Sequence, residues 1–534
     1  MAVRSLTEVP RIPRKRGALR DAGFGGSTPY VAADTGIDTL AGFLPSNRAV
    51  DAEVLPGRDR ITARSRDLGR NNGWAAGAIA KEVDGVIGAN FRPLLKPDWR
   101  ALGLDADWAQ EFKETIEARW RTYADDPRKF CDTTRSQTMP LLFGMAYRTY
   151  LVEGEAIALV NWRARRPFKT TMRVVDPDLL SNPNGASDEA RLRGGVEITR
   201  DGVARAYHFR QGHYATSWAD GSDAMTWKRI GRESATGRPQ VIHFFDKTRD
   251  GQTRGISRLA PIVERLRMED HYSRVELQAA VINAVLAAFI KSPMGPESIK
   301  DMFDDEEGMQ SLINYQSGRN EFYGSSGGVK IGGARISTLY PNDEIGMVPT
   351  ARPAAQFADF EAAVLRHIAS GMGISYEQLA SDWSKTNYSS ARAAMIEIWR
   401  GWTARRTAFA QGFCQPFFMA WLEEQIMDGH VRLPRGAPDF YAFWPAYARA
   451  KWIGPGKGFV DPVKEAQAAA MRVSLGLSTL EEEAAELTGT DYADNMEQIA
   501  REVSAMPKGT LHPAQESFAK LLGPTIGPSL SPED

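Results

Sequence analysis

Two long helical patterns meet at one polar run within residues 353–427, and no other feature of the 534-residue chain constrains its folding as much. The first pattern, AAQFADFEAAVLRHIAS, sets Phe357, Phe360, Val364 and Ile368 at helical spacing on one face. Gly371 and Gly373 are placed to end it, because glycine accepts the turn beyond a helix. ISYEQLASDWSKTNYSS follows, and its polar part, 381–390, sets Trp383 and Tyr388 among Ser, Thr, Asn and charges. Asn387, Ser389 or Ser390 suits the N-cap of a second helix opening near Ala391. Met395, Ile398, Trp399, Trp402, Phe409, Phe413, Phe417 and Trp421 give that helix an aromatic face, and Pro416 predicts a kink. A polar loop carried this way is either a solvated connector or a surface held out for contact.

The length predicts several cores, in three or four sub-domains. A formal net charge of −1 excludes the broad basic excess that announces nucleic acid. Cys131 and Cys414 have neither metal-ligand spacing nor the look of a disulfide framework, which suits a reducing interior. The N-terminus lacks an apolar signal core, and the longest apolar run, 279–290, is interrupted by Asn283 and too short for a bilayer. A soluble protein of intracellular origin is expected.

Residues 1–40 scatter six arginines and lysines (4, 11, 14, 15, 16 and 20) among Gly, Pro and Thr without periodicity, and read as a mobile basic arm. Helices are expected from Ile61 with a break at 71–73, over 107–123 with Trp108, Phe112, Ile116 and Trp120 on one face, and over 139–151. Between Glu155 and Phe245 the period falls to two, predicting a mixed, mainly antiparallel sheet. Arg163, Arg165, Arg166 and Lys169 cluster in its first turn. Ser257 suits the N-cap of a rod reaching about Ile290, its end apolar on nearly every side and so in need of cover by other protein. Residues 293–352, with an acidic run at 301–307 and short strands in ARISTLY and EIGMVP, form an insertion at the tip of a helical hairpin. FYAFWPAYARAKW returns to the core, 461–506 reads as two or three short helices, and 507–534 reads as disordered.

No motif supplies an active site. Gly324, Ser326 and Gly328 fit G-x-S-x-G, but a strand-like VKIGG follows where a helix is required. GSSGGVKIGG and GPGKGF lack Walker spacing, and Gly371-Met-Gly373 meets Tyr376 where a dinucleotide fingerprint needs glycine. The seven histidines show no paired ligand spacing. The expectation is no catalytic residue, no metal and no cofactor.

RSRDLGRNNGWAAGAI (64–79), GEAIALV (154–160), VVDPDLL (174–180), RGISRLAPIVERL (254–266), SDWSKTNYSSARAAMIEIWR (381–400) and DPVKEAQAAAMRVSLGLST (461–479) occur in one order. Through them the chain resembles the lambda-type portal proteins of tailed bacteriophages over about residues 55–505. The resemblance implies an α+β, helix-rich portal architecture and a ring, typically of twelve subunits, at one capsid vertex. Double-stranded DNA would enter and leave through its channel without being read. Terminase, the head–tail connector and the major capsid protein would be partners, and the protein would act in the virion after synthesis in the host cytoplasm, with no membrane role.

Mapped onto the segments, 41–256 would be the wing, 257–292 and 353–375 the stem helices, and 293–352 the clip. Residues 376–390 would be the tunnel loop, 391–454 the kinked tunnel helix and its return, and 455–505 the crown, with 506–534 as the tail. Ser381, Asp382, Trp383, Ser384, Lys385, Thr386, Asn387, Tyr388 and Ser389 would face DNA. Val281, Val285 and Phe289, at the apolar end of the rod, would meet a neighbouring subunit. Lys385 and Arg392 would otherwise be surface charges or intersubunit partners. A scaffold component without DNA passage and a nucleic-acid-processing enzyme are the competing classes; the second calls for clustered carboxylates or a phosphate loop.

Overall fold

Asn72 divides one long helical pattern into two helices. α1 (Val50–Asn71) stops there, and the Asn72 Oδ1 accepts from the Ala75 N–H at 2.9 Å to cap α2 (Gly73–Val86). The break lies where expected, but α1 begins at Val50 rather than Ile61. The computed structural model describes residues 30–34, 37–164, 167–213, 223–285, 289–291, 306–325, 329–331, 334–336, 344–346, 357–457, 461–507 and 512. Two compact units make up the chain, Met1–Ala49 and Val50–Asp534. In the first, the described residues form one 3-10 turn, Val31–Ala33, and one short helix, Asp38–Ala41. Most of the basic arm, and nearly all of 507–534, lie outside the described residues.

In the second unit, β1 (Arg92–Leu95) precedes α3 (Ala106–Ala124), which Asp105 opens by accepting from the Trp108 N–H at 2.6 Å. α4 (Met139–Glu153) then feeds β2 (Glu155–Trp162), the centre of a three-stranded antiparallel sheet with β3 (Thr170–Val175) and, later, β8 (Val241–Phe245). β4 (Leu192–Arg193), β5 (Val196–Ile198), β6 (Ala204–Arg210) and β7 (Trp227–Gly231) form a second antiparallel sheet in sequence order. Two sheets therefore replace the single mixed sheet expected. The reason is visible in β2: Ala156, Ala158 and Val160 point into the main helical core, while Ile157 and Leu159 pack with Val196, Tyr207 and Phe209 of the second sheet.

Arg254 and Glu155 tie these layers together. The Glu155 carboxylate is fully buried and accepts from Arg58 Nη2 at 2.6 Å, from Arg254 Nη2 at 2.5 Å and from the Gly255 N–H at 3.1 Å, with His243 Nε2 at 2.9 Å. Arg254 also donates to the carbonyls of Leu180, Gly194 and Pro177, which lie beside the second sheet. Burial pushes the Glu155 pKa up, but Arg254 and Arg58 outweigh it and hold the acid well below the usual carboxylate range.

The rod is shorter than expected. Pro261 disfavours helix at the residue before it, so a 3-10 turn (Ala260–Ile262) comes first, and α5 spans Val263–Val285. Ser257 Oγ accepts from the Leu259 N–H at 3.1 Å, ahead of that turn, and does not cap the rod. Phe289 is no part of the helix. β9 (Phe289–Lys291) pairs antiparallel with a strand some 50 residues later, and that ladder takes the chain out of helical geometry. Between them lie α6 (Glu306–Ser325), which the sequence reading missed, and a hairpin of β10 (Val329–Ile331) with β11 (Ala334–Ile336). β12 (Glu344–Gly346) closes the insertion against β9.

α7 (Phe357–Met372) returns antiparallel to α5. The Tyr272 ring lies 5.6 Å from Phe357 and 5.0 Å from Phe360, while Gly371 lies against Ile262 so closely that a Cβ there would overlap its Cγ2. Gly371 is thus a packing residue inside the helix. Gly373, at φ +71°, is the one that ends it. Leu365, Ile368, Ala369 and Met372 form the buried face, whereas Phe360 is exposed.

After a short α8 (Tyr376–Ala380) and the polar loop, α9 (Tyr388–Phe409) continues through a π-turn, Ala410–Cys414, into α10 (Gln415–Met427). The widened turn sits immediately before Pro416, which has no N–H to close a regular one. Phe409, Phe413, Phe417, Phe418 and Trp421 are fully buried, with Phe409 stacked on Phe413 at 5.1 Å and Trp421 edge-on to Trp120 at 5.0 Å. The aromatic return predicted for 440–452 is present: β13 (Ala450–Ile453) pairs with β1, and Trp452 stacks on Phe91 at 5.2 Å. Three helices close the described chain, α11 (Pro462–Ser474), α12 (Leu480–Leu487) and α13 (Tyr492–Ala505). Among the described residues, no helix is long and apolar enough to cross a membrane.

Candidate functional site

The polar run is a short loop with a cap at each end. Ser375 accepts from the Gln378 N–H at 3.2 Å to open α8. Ser381 closes it in the left-handed conformation, φ +54°, with the Asp382 N–H reaching back to the Glu377 carbonyl at 3.2 Å. Asp382 Oδ1 then accepts from the Ser384 N–H at 3.0 Å, and the Thr386 N–H donates to the Trp383 carbonyl at 3.2 Å. Those hydrogen bonds with Ser384, together with nearby Lys385, hold the Asp382 carboxyl below its ordinary pKa. Asn387 settles the choice of N-cap. Its Oδ1 accepts from the Ser390 N–H and from Ser389 Oγ, both at 2.9 Å, so α9 opens at Tyr388 rather than Ala391. Ser384, Lys385, Asn387 and Ser389 are exposed, and Trp383 is 39% exposed; the Tyr388 side chain lies outside the described residues.

Two of the helices around this loop, α8 and α9, are held by α2, and α7 joins them through Arg405 of α9. Lys81 donates to the carbonyls of Gln378 and Leu379 and, at 2.8 Å, to Ser381 Oγ, placing a cation on the C-terminal carbonyls of α8. Further along, Arg405 of α9 donates to Glu82 Oε1 at 2.6 Å and, at 3.3 Å each, to the Met372 and Gly373 carbonyls that end α7. Arg406 donates to Val86 O at 2.8 Å and Gly85 O at 2.9 Å, and lies over the Trp399 ring at 5.1 Å. Burial pulls its pKa down to about 10. A Cβ on Gly85 would overlap the Trp402 ring, so α2 and α9 touch as closely as glycine allows.

Of the nine loop residues singled out from sequence, Ser381 to Ser389, all but Tyr388 have described side chains, and these gather hydroxyls, one amide, one indole, one cation and one carboxylate in one short loop. The bracing residues Lys81, Glu82, Arg405 and Arg406 were missed. Two arginines side by side, Arg405 and Arg406, between Trp402 and Phe409 of the aromatic face were the available signal. Val281 and Val285 fall in the last two turns of α5 and Phe289 in β9; their side chains lie outside the described residues, as do Arg165, Arg166, Ser326 and Gly328. Lys169 is committed to Asp428 at 2.5 Å. Among the described residues no group of three or more His, Cys, Asp or Glu is arranged to hold a metal ion.

Such a surface can touch a polyanion through hydroxyls, amides and one lysine, contacts that carry no base information. The profile of the phage portal protein, lambda family, matches residues 37–406. A portal protein of Escherichia phage N15 is 35% identical over 479 residues, covering 89% of each chain. Portal protein B of Escherichia phage lambda is 34% identical over 480 residues, again covering 89% of each. Among solved structures, the neck of a native gene transfer agent particle computed with C12 symmetry aligns with 81% of this chain and 98% of its own, at 12% identity and a TM-score of 0.42.

Proposed function

This chain belongs to the lambda family of phage portal proteins, and we propose that it assembles into a closed ring, of twelve subunits, at one vertex of the capsid. In this reading DNA is packaged and ejected through the central channel, and the 381–390 loop forms its narrow collar. The observation that carries the reading is the bracing of that loop by α2: Lys81 on one flank and the Glu82–Arg405 pair on the other. A connector left to solvent has no need of flanking helices anchored in this way.

The remaining segments take their roles from the same reading. Residues 41–256 form the wing, α5 and α7 the stem, 293–352 a clip that docks terminase and then the head–tail connector, and 455–505 the crown. Val281 and Val285 sit at the subunit boundary, with Phe289 beside them at the clip's base. The major capsid protein surrounds the ring. The protein acts as a conduit in the virion and not as an enzyme, and a purified sample is expected to hydrolyse neither ATP nor DNA.

Weak contact suits such a collar, since each phosphate neutralised adds affinity through counterion release and would resist sliding. Asp382 offsets Lys385 in every copy. Lys385→Glu puts a ring of negative charge against the phosphates, screened over about 8 Å at physiological salt. Ring assembly is expected to survive, with less full-length DNA retained and the deficit relieved at higher ionic strength. Equal DNA in variant and parent capsids at low and high salt alike would overturn the assignment of this loop.

A further inference from the structure

The three closing helices meet the rest of the chain through a small apolar cluster and a set of ion pairs. Among themselves they are tied by Arg472 of α11 to Glu483 of α12 at 2.5 Å, and by the Asn495 side chain of α13, which donates to Thr490 Oγ1 at 2.9 Å. Against β1 and β13 their buried apolar cluster is Leu94, Ile453 and Ala485. Against α3 the contact is ionic. Glu481 of α12 takes Lys113 at 2.7 Å and Lys96 at 2.9 Å, and Asp494 of α13 takes Arg121 at 3.0 Å. Lys113 is the hub. Burial works against its charge, but Glu481, Glu117 and Asp491 together outweigh burial and raise its pKa. Glu117 and Asp491 are themselves buried.

We propose that α11, α12 and α13 form a detachable cap, latched to the body by the pairs that Glu481 and Asp494 make, and that this cap swings away as one unit while the body stays folded. Two features of the packing favour release. Between α9 and α11 lies a cavity of about 130 Å³, lined by Arg392, Met395 and Ile396 on one side and by Glu465, Ala468 and Arg472 on the other, so this side of the cap lacks close packing. The second feature is the strap by which the chain enters the cap. A Cβ on Gly454 would overlap Arg406 of α9, whereas one on Gly456 would overlap the Leu487 carbonyl of α12. The Lys457 N–H donates to the Glu486 carbonyl at 2.8 Å, and Gly489, at φ +69°, closes on the same strap. Attachment thus passes from body to cap between Gly454 and Gly456, and a hinge needs only a few such residues. The pairs that Lys96 and Arg121 make are partly open to water, so salt screens them. The latch lies within one chain and is independent of the ring reading above.

Spin labels on Thr115→Cys of α3 and Ala500→Cys of α13, both exposed positions, report the separation of cap from body, and the native Cys131 and Cys414 are buried. Labelled full-length chains are diluted into unlabelled ones, so that each distance read by pulsed electron paramagnetic resonance lies within one chain. At physiological salt the labelled protein is expected to give one narrow distance. A longer one should appear as the screening length falls from about 8 Å to about 3 Å in about 1 M salt. Lys113→Glu sets a negative charge against Glu481, Glu117 and Asp491 and is expected to raise the longer population about tenfold. Glu481→Gln removes one charge without reversing it and should move the distribution the same way by less. One narrow distance in both variants and at both salt concentrations would overturn the proposal. So would a longer distance accompanied by loss of helical circular dichroism from the whole chain, because cap and body would then unfold together. A longer population in the variants that salt fails to raise in the parent would overturn the ionic latch.

Discussion

Arg405 Nη1 meets Glu82 Oε1 at 2.6 Å across 323 residues of sequence, and the same carboxylate oxygen accepts from the Tyr147 hydroxyl at 3.1 Å. Glu82 is fully buried, and the Arg405 side chain is 17% exposed. Removing Arg405 would therefore leave a buried carboxylate without its cation.

Arg405→Ala is expected to cost about 3–5 kcal/mol, the usual penalty for breaking a buried pair from one side. Replacing both partners, Glu82→Leu with Arg405→Met, should cost less than the single change, because no orphan charge remains. Denaturant midpoints of the three proteins measure this. Equal midpoints for Arg405→Ala and the parent would show that the pair does not brace the loop.

Gly85→Ala should destabilise by about 1–3 kcal/mol through overlap with the Trp402 ring. Trp402→Leu in the same chain should return part of that loss. A Gly85→Ala protein as stable as the parent would mean that α2 and α9 part easily, contrary to the packing described.

The buried Glu155 cluster sets a pH dependence whose sign follows from two groups. Burial lowers the His243 pKa, with Glu155 opposing and Arg254 and Arg58 reinforcing the shift. Below about pH 6.5, the ordinary histidine value, the unfolded chain takes up a proton that the folded chain refuses, so stability falls with pH. Glu155, depressed by Arg254 and Arg58, contributes stability present above the ordinary glutamate pKa of about 4.3 and lost as pH falls below it. Both slopes have one sign. His243→Gln should flatten the decline that starts near pH 6.5 while leaving the more acidic one. Parallel stability curves for variant and parent between pH 7.5 and 5 would contradict the account.

The base of the insertion predicts where it can be cut away. Lys291 pairs with Glu344, Ile290 with Ile345 and Phe289 with Gly346 in an antiparallel ladder, so a two-residue Asn-Gly turn can join Lys291 directly to Glu344. A chain with 292–343 so replaced should fold and melt like the parent yet fail to package DNA. Normal packaging by that variant would rule out the insertion as the docking module.

Most of the elements were legible in the sequence because their signals are local. Periodicity located α3, α4, α7 and the closing helices, a break was expected at 71–73, and Asn387 was one of three cap candidates for α9. What escaped was non-local or weakly patterned. In α6, Met309, Leu312 and Ile313 open an apolar face, but Gln316 and Arg319 interrupt it, so the stripe is too short to mark a 20-residue helix. β9 leaves helical geometry only because β12 pairs with it from far along the chain. The loop itself could be read as polar and capped, but its bracing depends on Lys81 and Glu82 arriving from about 300 residues away. Side-chain pairing at that range leaves no trace in local composition.

Electron microscopy of the purified full-length protein tests the central claim most directly. The account predicts closed rings with a central hole whose narrowest part is lined by the 381–390 loop, and broken rings or monomers when Val285 is changed to Asp. Particles without a hole, or rings whose constriction is formed by another part of the chain, would contradict it.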